Sequence, residues 1–187
     1  ERRRTRIDPD AADAIRMLLL TGARLREILH LKWAEYDRQR SLLLLPDSKT
    51  GRKTIVLGQR AVETLERVWQ RSLYSDGASC KQRVSAYVFP AKDPDAPRAD
   101  LKRPWAMLIR EAQLPGLRIH DLRHSFASVG VSAQLGLPVI GTLLGHSSTQ
   151  TTERYAHLAT APLRVATDLI SSAIQAALAG ESCTTLE

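Results

Sequence analysis

Apolar residues recur at helical spacing along most of the chain, and one stretch breaks that rhythm. Two short apolar runs, Leu42–Leu45 and Thr54–Leu57, flank Pro46-Asp47-Ser48-Lys49-Thr50-Gly51-Arg52. Turn residues between short apolar runs predict a β-hairpin or part of a small sheet. On either side the pattern is helical. Asp8-Pro9-Asp10 reads as a helix start, with Asp to cap, Pro at the first position and an acid in the first turn; this helix runs to about Leu20 and stops at Thr21-Gly22. A second helix is expected over Arg24–Leu31 and a third over Gln59–Leu73, and Tyr87-Val88-Phe89 reads as a short strand. From Leu101 onward the chain reads as helical, broken at Pro115-Gly116, at Gly136-Leu137-Pro138 and at Gly145. The expected fold is mainly α with a small antiparallel β-sheet packed at one edge, an α+β arrangement.

Composition bounds the function classes. The chain has 187 residues, 43% of them hydrophobic and 25% charged, which suits one packed domain and excludes wholesale disorder. No apolar run approaches bilayer length, and two cysteines, Cys80 and Cys183, make neither a disulfide framework nor a metal-binding spacing. A soluble, intracellular protein is expected. Lys and Arg outnumber Asp and Glu by 27 to 20, for a net charge of +7. Residues 1–6 hold four Arg and one Glu, so +3 belongs to the leading tail and 7 − 3 = +4 to the body. A basic domain favours polyanions, because each neutralised phosphate releases counterions, although solubility alone accounts for the same number.

Four segments carry the chemistry: Thr21-Gly22-Ala23-Arg24-Leu25-Arg26-Glu27; Ser48-Lys49-Thr50-Gly51; His120-Asp121-Leu122-Arg123-His124; and Leu143-Leu144-Gly145-His146, followed nine residues later by Tyr155. In this order they resemble the catalytic domain of the tyrosine recombinase (phage integrase) family. Its pattern is an Arg after a Thr-Gly turn, a Lys on a hairpin, a His-x-x-Arg, a Gly-His and then a nucleophilic Tyr. The resemblance spans Arg24 to Tyr155 and implies that family's DNA breaking-rejoining fold.

The residue types suit the chemistry. Attack on a phosphodiester builds charge on non-bridging oxygens, and guanidinium presents a permanently charged fork to two of them. Arg24 and Arg123 are the candidates for that clamp. Tyr155 is the candidate nucleophile, a phenol that needs nearby positive charge to react near neutrality. The resemblance makes Lys49 the general acid for the leaving 5′ oxygen, with Lys53 as the fallback on the same hairpin. His120 and His146 are assigned to proton transfer and phosphate orientation, with the division between them open. Glu27, one helical turn after Arg24, is read as a brace for the Arg cluster, and Arg52 and Lys53 as contacts to DNA.

His120 and His124 stand at i, i+4, as zinc ligands do, but no third ligand follows at a convincing spacing. Walker-type and dinucleotide glycine loops are absent from the sequence, so neither a cofactor nor a metal is expected. The resemblance implies a site-specific recombinase of a phage or genomic island. It would join DNA to tyrosine through the 3′ phosphate without metal or ATP, as a homotetramer on synapsed double-stranded DNA and a monomer otherwise. It leaves room for accessory DNA-bending proteins, and places the protein in a prokaryotic cytoplasm at the nucleoid, with no membrane partner. Type IB topoisomerase-like relaxation and a non-catalytic DNA-binding regulator on the same fold stay open as alternatives.

The expected organisation is a basic linker remnant over residues 1–7, a catalytic domain over 8–162, a C-terminal helix over 163–179 and a tail over 180–187. A separate N-terminal DNA-binding domain is expected to precede it in the whole protein. The helical stripe Leu163, Ala166, Leu169, Ile170, Ile174, Ala177 and Leu178 has two readings, packing on its own core or docking on a neighbouring protomer, and the resemblance favours docking.

Overall fold

The computed structural model describes residues 6–48, 51–73, 85–133, 135–145 and 160–179. The first helix, α1 (Pro9–Thr21), starts as its sequence requires: the Asp8 side chain accepts from the Asp10 backbone N–H, and Pro9 occupies a position whose missing N–H costs nothing. It ends at Gly22, whose φ of 61° is the left-handed conformation that reverses the chain. A short helix α2 (Leu25–Leu29) and a 3₁₀ turn (Trp33–Glu35) follow, so α2 stops earlier than the apolar pattern suggests. Next comes a three-stranded antiparallel sheet in the order β1 (Tyr36–Asp37), β2 (Leu42–Ser48), β3 (Gly51–Val56). The hairpin pairs Leu43 with Ile55 and Leu45 with Lys53, with an irregularity between Leu45 and Ser48. The strands therefore extend into the stretch read as a turn, and β1 is an addition to the expected hairpin.

Helix α3 (Gln59–Leu73) matches its pattern. The expected strand at Tyr87–Phe89 reduces to a single bridge between Lys32 and Tyr87. The Val88 N–H still reaches the Leu31 carbonyl, but Pro90 has no N–H with which to continue a ladder. Among the described residues the remaining helices are α4 (Lys102–Glu111), α5 (Asp121–Ser132), α6 (Leu137–Leu144) and α7 (Thr160–Ala179). Gly145, at φ 64°, ends α6 in the left-handed conformation, as Gly22 ends α1. Among the described residues no helix is long and apolar enough to cross a membrane.

The core has two parts. One gathers α1, α2, the sheet and α3 around Met17, Ile28, Leu43, Ile55 and Leu65. The other joins α5, α6 and α7 through Phe126, Ile140, Leu144, Ala166 and Ile170. Leu19 packs against both. Helix α7 packs against α1, α3, α5 and α6 of its own chain. Ala166, Thr167, Ile170, Ser171 and Ile174 are its buried face, and the Asp168 carboxylate accepts the Gln59 N–H at the start of α3. A carboxylate at a helix N-terminus satisfies an orphan donor and complements the dipole, so this contact ties α7 to the start of α3.

Candidate active site

The turn after α1 aims Arg24. Thr21 Oγ1 donates to the Met17 carbonyl at 2.6 Å and accepts the Ala23 N–H at 3.2 Å, which fixes the reversal at Gly22. A Cβ on Gly22 would fall 2.7 Å from both Leu144 and Phe126, so glycine is required for space as well as for φ. Arg24 then caps α2. Its backbone N–H donates to Glu27 Oε2 at 2.8 Å, and its guanidinium NH1 donates to Glu27 Oε1 at 2.9 Å. Glu27 thus takes both the backbone and the side chain of Arg24, with its own side chain only 6% exposed.

Lys53 completes this group. Its Nζ donates to Glu27 Oε2 at 2.7 Å, and the residue is 7% exposed. Such burial runs against the reading of Lys53 as a contact to DNA. On β3 the exposure alternates, with Arg52 and Thr54 facing out and Lys53 and Ile55 facing in. The cause is the two-residue period of a strand: counting back from the inward Ile55 places Lys53 on the core face. The sequence carried that signal, and reading the segment as a turn hid it. Arg52 is exposed on the outer face.

Arg123 enters from α5 and is also 7% exposed. Its NH1 donates to the Gly22 carbonyl at 2.6 Å and its NH2 to the Leu144 carbonyl at 2.8 Å. Those two oxygens belong to the C-terminal ends of α1 and α6, where helix dipoles favour a cation. The two left-handed glycines and Arg123 therefore form one arrangement: each glycine turns the chain at a helix end, and the guanidinium ties the ends together. Sequence reasoning named Arg123 but missed these carbonyl partners, which only the tertiary fold brings near.

Electrostatics follow from the packing. Burial works to raise the Glu27 carboxyl, but hydrogen bonds from Lys53 and Arg24 outweigh it and hold the group below the ordinary value. Burial pushes the Lys53 ammonium down; Glu27 opposes that, and the like charges of Arg123 and Arg24 add to it. Arg123 is likewise lowered, by burial and then by Arg24. Three cations thus lie within electrostatic reach of one another around a single carboxylate, which leaves positive charge in surplus.

His120 sits at the start of α5, exposed, with its ring 5.3 Å from that of His124 in an edge-to-face contact. Arg24, Glu27 and His120 line an open groove of about 720 Å³, together with His30, Lys32 and Tyr87. The structure therefore brings Arg24, Glu27, Lys53 and Arg123 together, with His120 on the rim of the same groove. Lys49, His146 and Tyr155 lie outside the described residues. In the chain, Lys49 stands between Ser48 and Gly51 of the hairpin, and His146 follows Gly145. Among the described residues no group of three or more His, Cys, Asp or Glu side chains is placed to hold a metal ion. What the described part offers is a basic, partly preorganised receptor for an anion.

The phage integrase family model matches residues 6–161. This chain belongs to the phage integrase family. Tyrosine recombinase XerC of Xanthomonas axonopodis pv. citri is 31% identical over 140 residues, covering 74% of this chain and 43% of that protein. The integrase of Salmonella phage P22 is 26% identical over 153 residues, covering 78% of this chain and 38% of that protein. The chain thus spans less than half the length of these family members. Among solved structures, the integrase from mycobacterium phage Brujita superposes with a TM-score of 0.63 at 18% identity, covering 89% of this chain and 53% of that one. The XerH site-specific recombinase bound to difH superposes with a TM-score of 0.58 at 22% identity, covering 82% of this chain and 45% of that one. The mainly helical fold with its small antiparallel sheet is the one these family members share.

Proposed function

We propose that this chain carries out the strand-breaking and rejoining steps of site-specific DNA recombination. The observation that supports it most is the surplus of preorganised positive charge formed by partly exposed Arg24 and buried Lys53 and Arg123 around Glu27. It occurs in a chain of the phage integrase family whose matched region includes Tyr155. In this reading Arg24 and Arg123 hold the non-bridging oxygens of a scissile phosphate and stabilise the charge that develops on them. The Tyr155 phenolic oxygen attacks phosphorus, and His120 takes its proton. The bond from phosphorus to the 5′ oxygen breaks, and Lys49 gives that oxygen a proton. His146 orients the phosphate and Glu27 fixes Arg24. The product is a 3′-phosphotyrosine, which keeps the energy of the broken linkage. A 5′ hydroxyl of a second duplex then attacks phosphorus and restores the phenol, so no ATP is consumed.

The partner in this proposal is double-stranded DNA carrying a recombination site, engaged by four copies of the whole protein on two synapsed duplexes. The names of the relatives support it: a phage integrase is among them, as is a Xer recombinase bound to its site. A mobile element of a prokaryote is the proposed source, with the protein acting in the cytoplasm at the nucleoid. The test uses a pool of nicked duplexes of randomised sequence, in which a cleaved strand diffuses away and traps the adduct. Wild-type protein yields a covalent protein–DNA species that maps by mass spectrometry to Tyr155, in excess chelator as without it. Tyr155→Phe binds duplex and yields none. An adduct on another residue, or a yield that chelator abolishes, overturns the proposal.

A further inference from the structure

We propose that Lys53 is a positioning residue of this site, its ammonium fixing the carboxylate that holds Arg24 and its stem seating the end of α6. The inference rests on the strand-transfer reading above and assigns Lys53 a part that neither acid catalysis nor DNA contact supplies. Lysine is rarely buried, because removing an ammonium from water costs several kcal/mol unless a partner and hydrogen bonds offset it. An inward position on β3 beside Ile55 and opposite Leu45 would be filled more favourably for stability by a branched apolar side chain. The charge is kept where stability alone does not call for it.

Its contacts show what it holds. Nζ meets Glu27 Oε2, the same oxygen that accepts the Arg24 backbone N–H, and so leaves Oε1 to the Arg24 guanidinium. Glu27 therefore cannot turn away from Arg24 without losing Lys53. At the other end, a Cβ on Gly145 would lie 2.6 Å from Lys53 Cε and 3.0 Å from Cδ, so the lysine stem lies directly on this glycine. Gly145 follows Leu144, whose carbonyl holds Arg123. One side chain thus spans both halves of the site, touching the Arg24–Glu27 pair on one side and the Arg123 tie on the other. The charged groups facing it are Glu27 from α2, Arg24 from the preceding turn and Arg123 from α5.

The experiment compares wild type, Lys53→Met and the double variant Lys53→Met/Glu27→Gln. Methionine keeps the length of the stem and removes the charge, and the second change removes the carboxylate left unpaired. With random-sequence duplex as probe, Lys53→Met keeps the wild-type salt slope, because its ammonium ends on Glu27 and not on a phosphate. On the randomised nicked pool its adduct rate falls about 10²-fold, the size expected when a catalytic group is misplaced. The double variant regains the wild-type melting temperature but not the adduct rate. Recovery of both together marks Lys53 as a support of the fold alone and overturns the proposal. A loss of duplex affinity with a salt slope smaller by about one marks a phosphate contact and overturns it too. If wild type itself forms no adduct, the strand-transfer reading fails separately. Lys53 is then judged by the Arg24 side-chain N–H resonance, which must lose its protection from exchange in Lys53→Met; an unchanged signal overturns the assignment.

Discussion

Two carboxylates lie buried beneath cations in this molecule, and they end in different electrostatic states. Asp13 on α1 is 1% exposed and accepts from Arg16 at 2.7 Å, from Arg67 at 2.8 Å and from Arg71 at 2.6 Å. Asp10 takes a further bond from Arg71 at 2.7 Å, so each of the three arginines ends on a carboxylate. Around Glu27 the account differs. Arg24 and Lys53 reach the carboxylate, but Arg123 ends on two neutral backbone carbonyls. Each region borders an open groove of similar volume, about 680 Å³ beside Asp13 and about 720 Å³ beside Arg24 and Glu27. Volume does not separate a structural ion cluster from a receptor. The disposition of donors does: in the first all three arginines end on two carboxylates, and in the second Arg123 ends on neutral carbonyls, so one carboxylate stands among three cations.

The largest expected effect tests that difference at Arg123. Arg123→Ala removes a preorganised donor and leaves the Gly22 and Leu144 carbonyls without their partner. Adduct formation on the randomised nicked pool is expected to fall about 10²- to 10³-fold. Urea unfolding is expected to show a loss of about 1–3 kcal/mol for the unpaired buried carbonyls. An adduct rate near wild type would place Arg123 with the Asp13 cluster, as a fold-holding residue only.

Asp13→Ala is the reciprocal test. It removes a buried partner of three arginines, a change that costs about 3–5 kcal/mol where all charges are desolvated. Here Arg16 and Arg67 are about half exposed and return partly to water, so about 2 kcal/mol is expected after that discount. Duplex affinity should not change. A loss of DNA binding without a loss of stability would reverse the assignment of the two regions.

Acid titration gives a third, smaller effect. Hydrogen bonds from Arg67, Arg71 and Arg16 overcome the upward push of burial and hold the Asp13 carboxyl below its ordinary 3.8. Glu27 is held below 4.5 by Lys53 and Arg24 against the same push. A depressed carboxyl contributes stability that is complete above its unfolded value and is lost as pH falls through the lower folded value. Melting temperature is therefore expected to decline as pH is taken below those ordinary values. Asp13→Asn and Glu27→Gln should each flatten that decline, and an unchanged acid limb would show that neither cluster is coupled to folding.

Local signals carried most of the architecture. Asp8-Pro9 and Gly22 bound α1 as capping rules require, and the apolar rhythm marks α3 within the residues observed. Arg24 and Glu27 stand three apart at a helix start, so their pairing was legible too. What escaped depended on long-range contact or on a misjudged boundary. The Arg123 bonds join residues 101 and 21 positions apart, and no local pattern encodes them. Lys53 was hidden because Pro46–Arg52 carries turn residues while the strands run on through much of it, so its inward parity was not counted. The tie between α7 and α3 uses Asp168 reaching Gln59, a cap supplied from 109 residues away.

The smallest expected effect separates local from global charge. Arg52 is exposed on β3, on the hairpin of the site, whereas Arg60 is exposed on α3 beside the Asp13 groove and pairs with Glu63 at 3.2 Å. Both substitutions to alanine remove one positive charge from a chain of net +7. If overall charge governs DNA binding, the two variants should be equal. If the receptor at Arg24 governs it, Arg52→Ala should reduce the salt slope of random-duplex binding by about one while Arg60→Ala leaves it unchanged. The distinction is measurable because exposed charges farther apart than about 8–10 Å are largely screened at moderate ionic strength. The exposed Arg60–Glu63 pair contributes at most about 1 kcal/mol, so Arg60→Ala should unfold close to wild type. Equal salt slopes for the two variants would return DNA affinity to the basic character of the body as a whole.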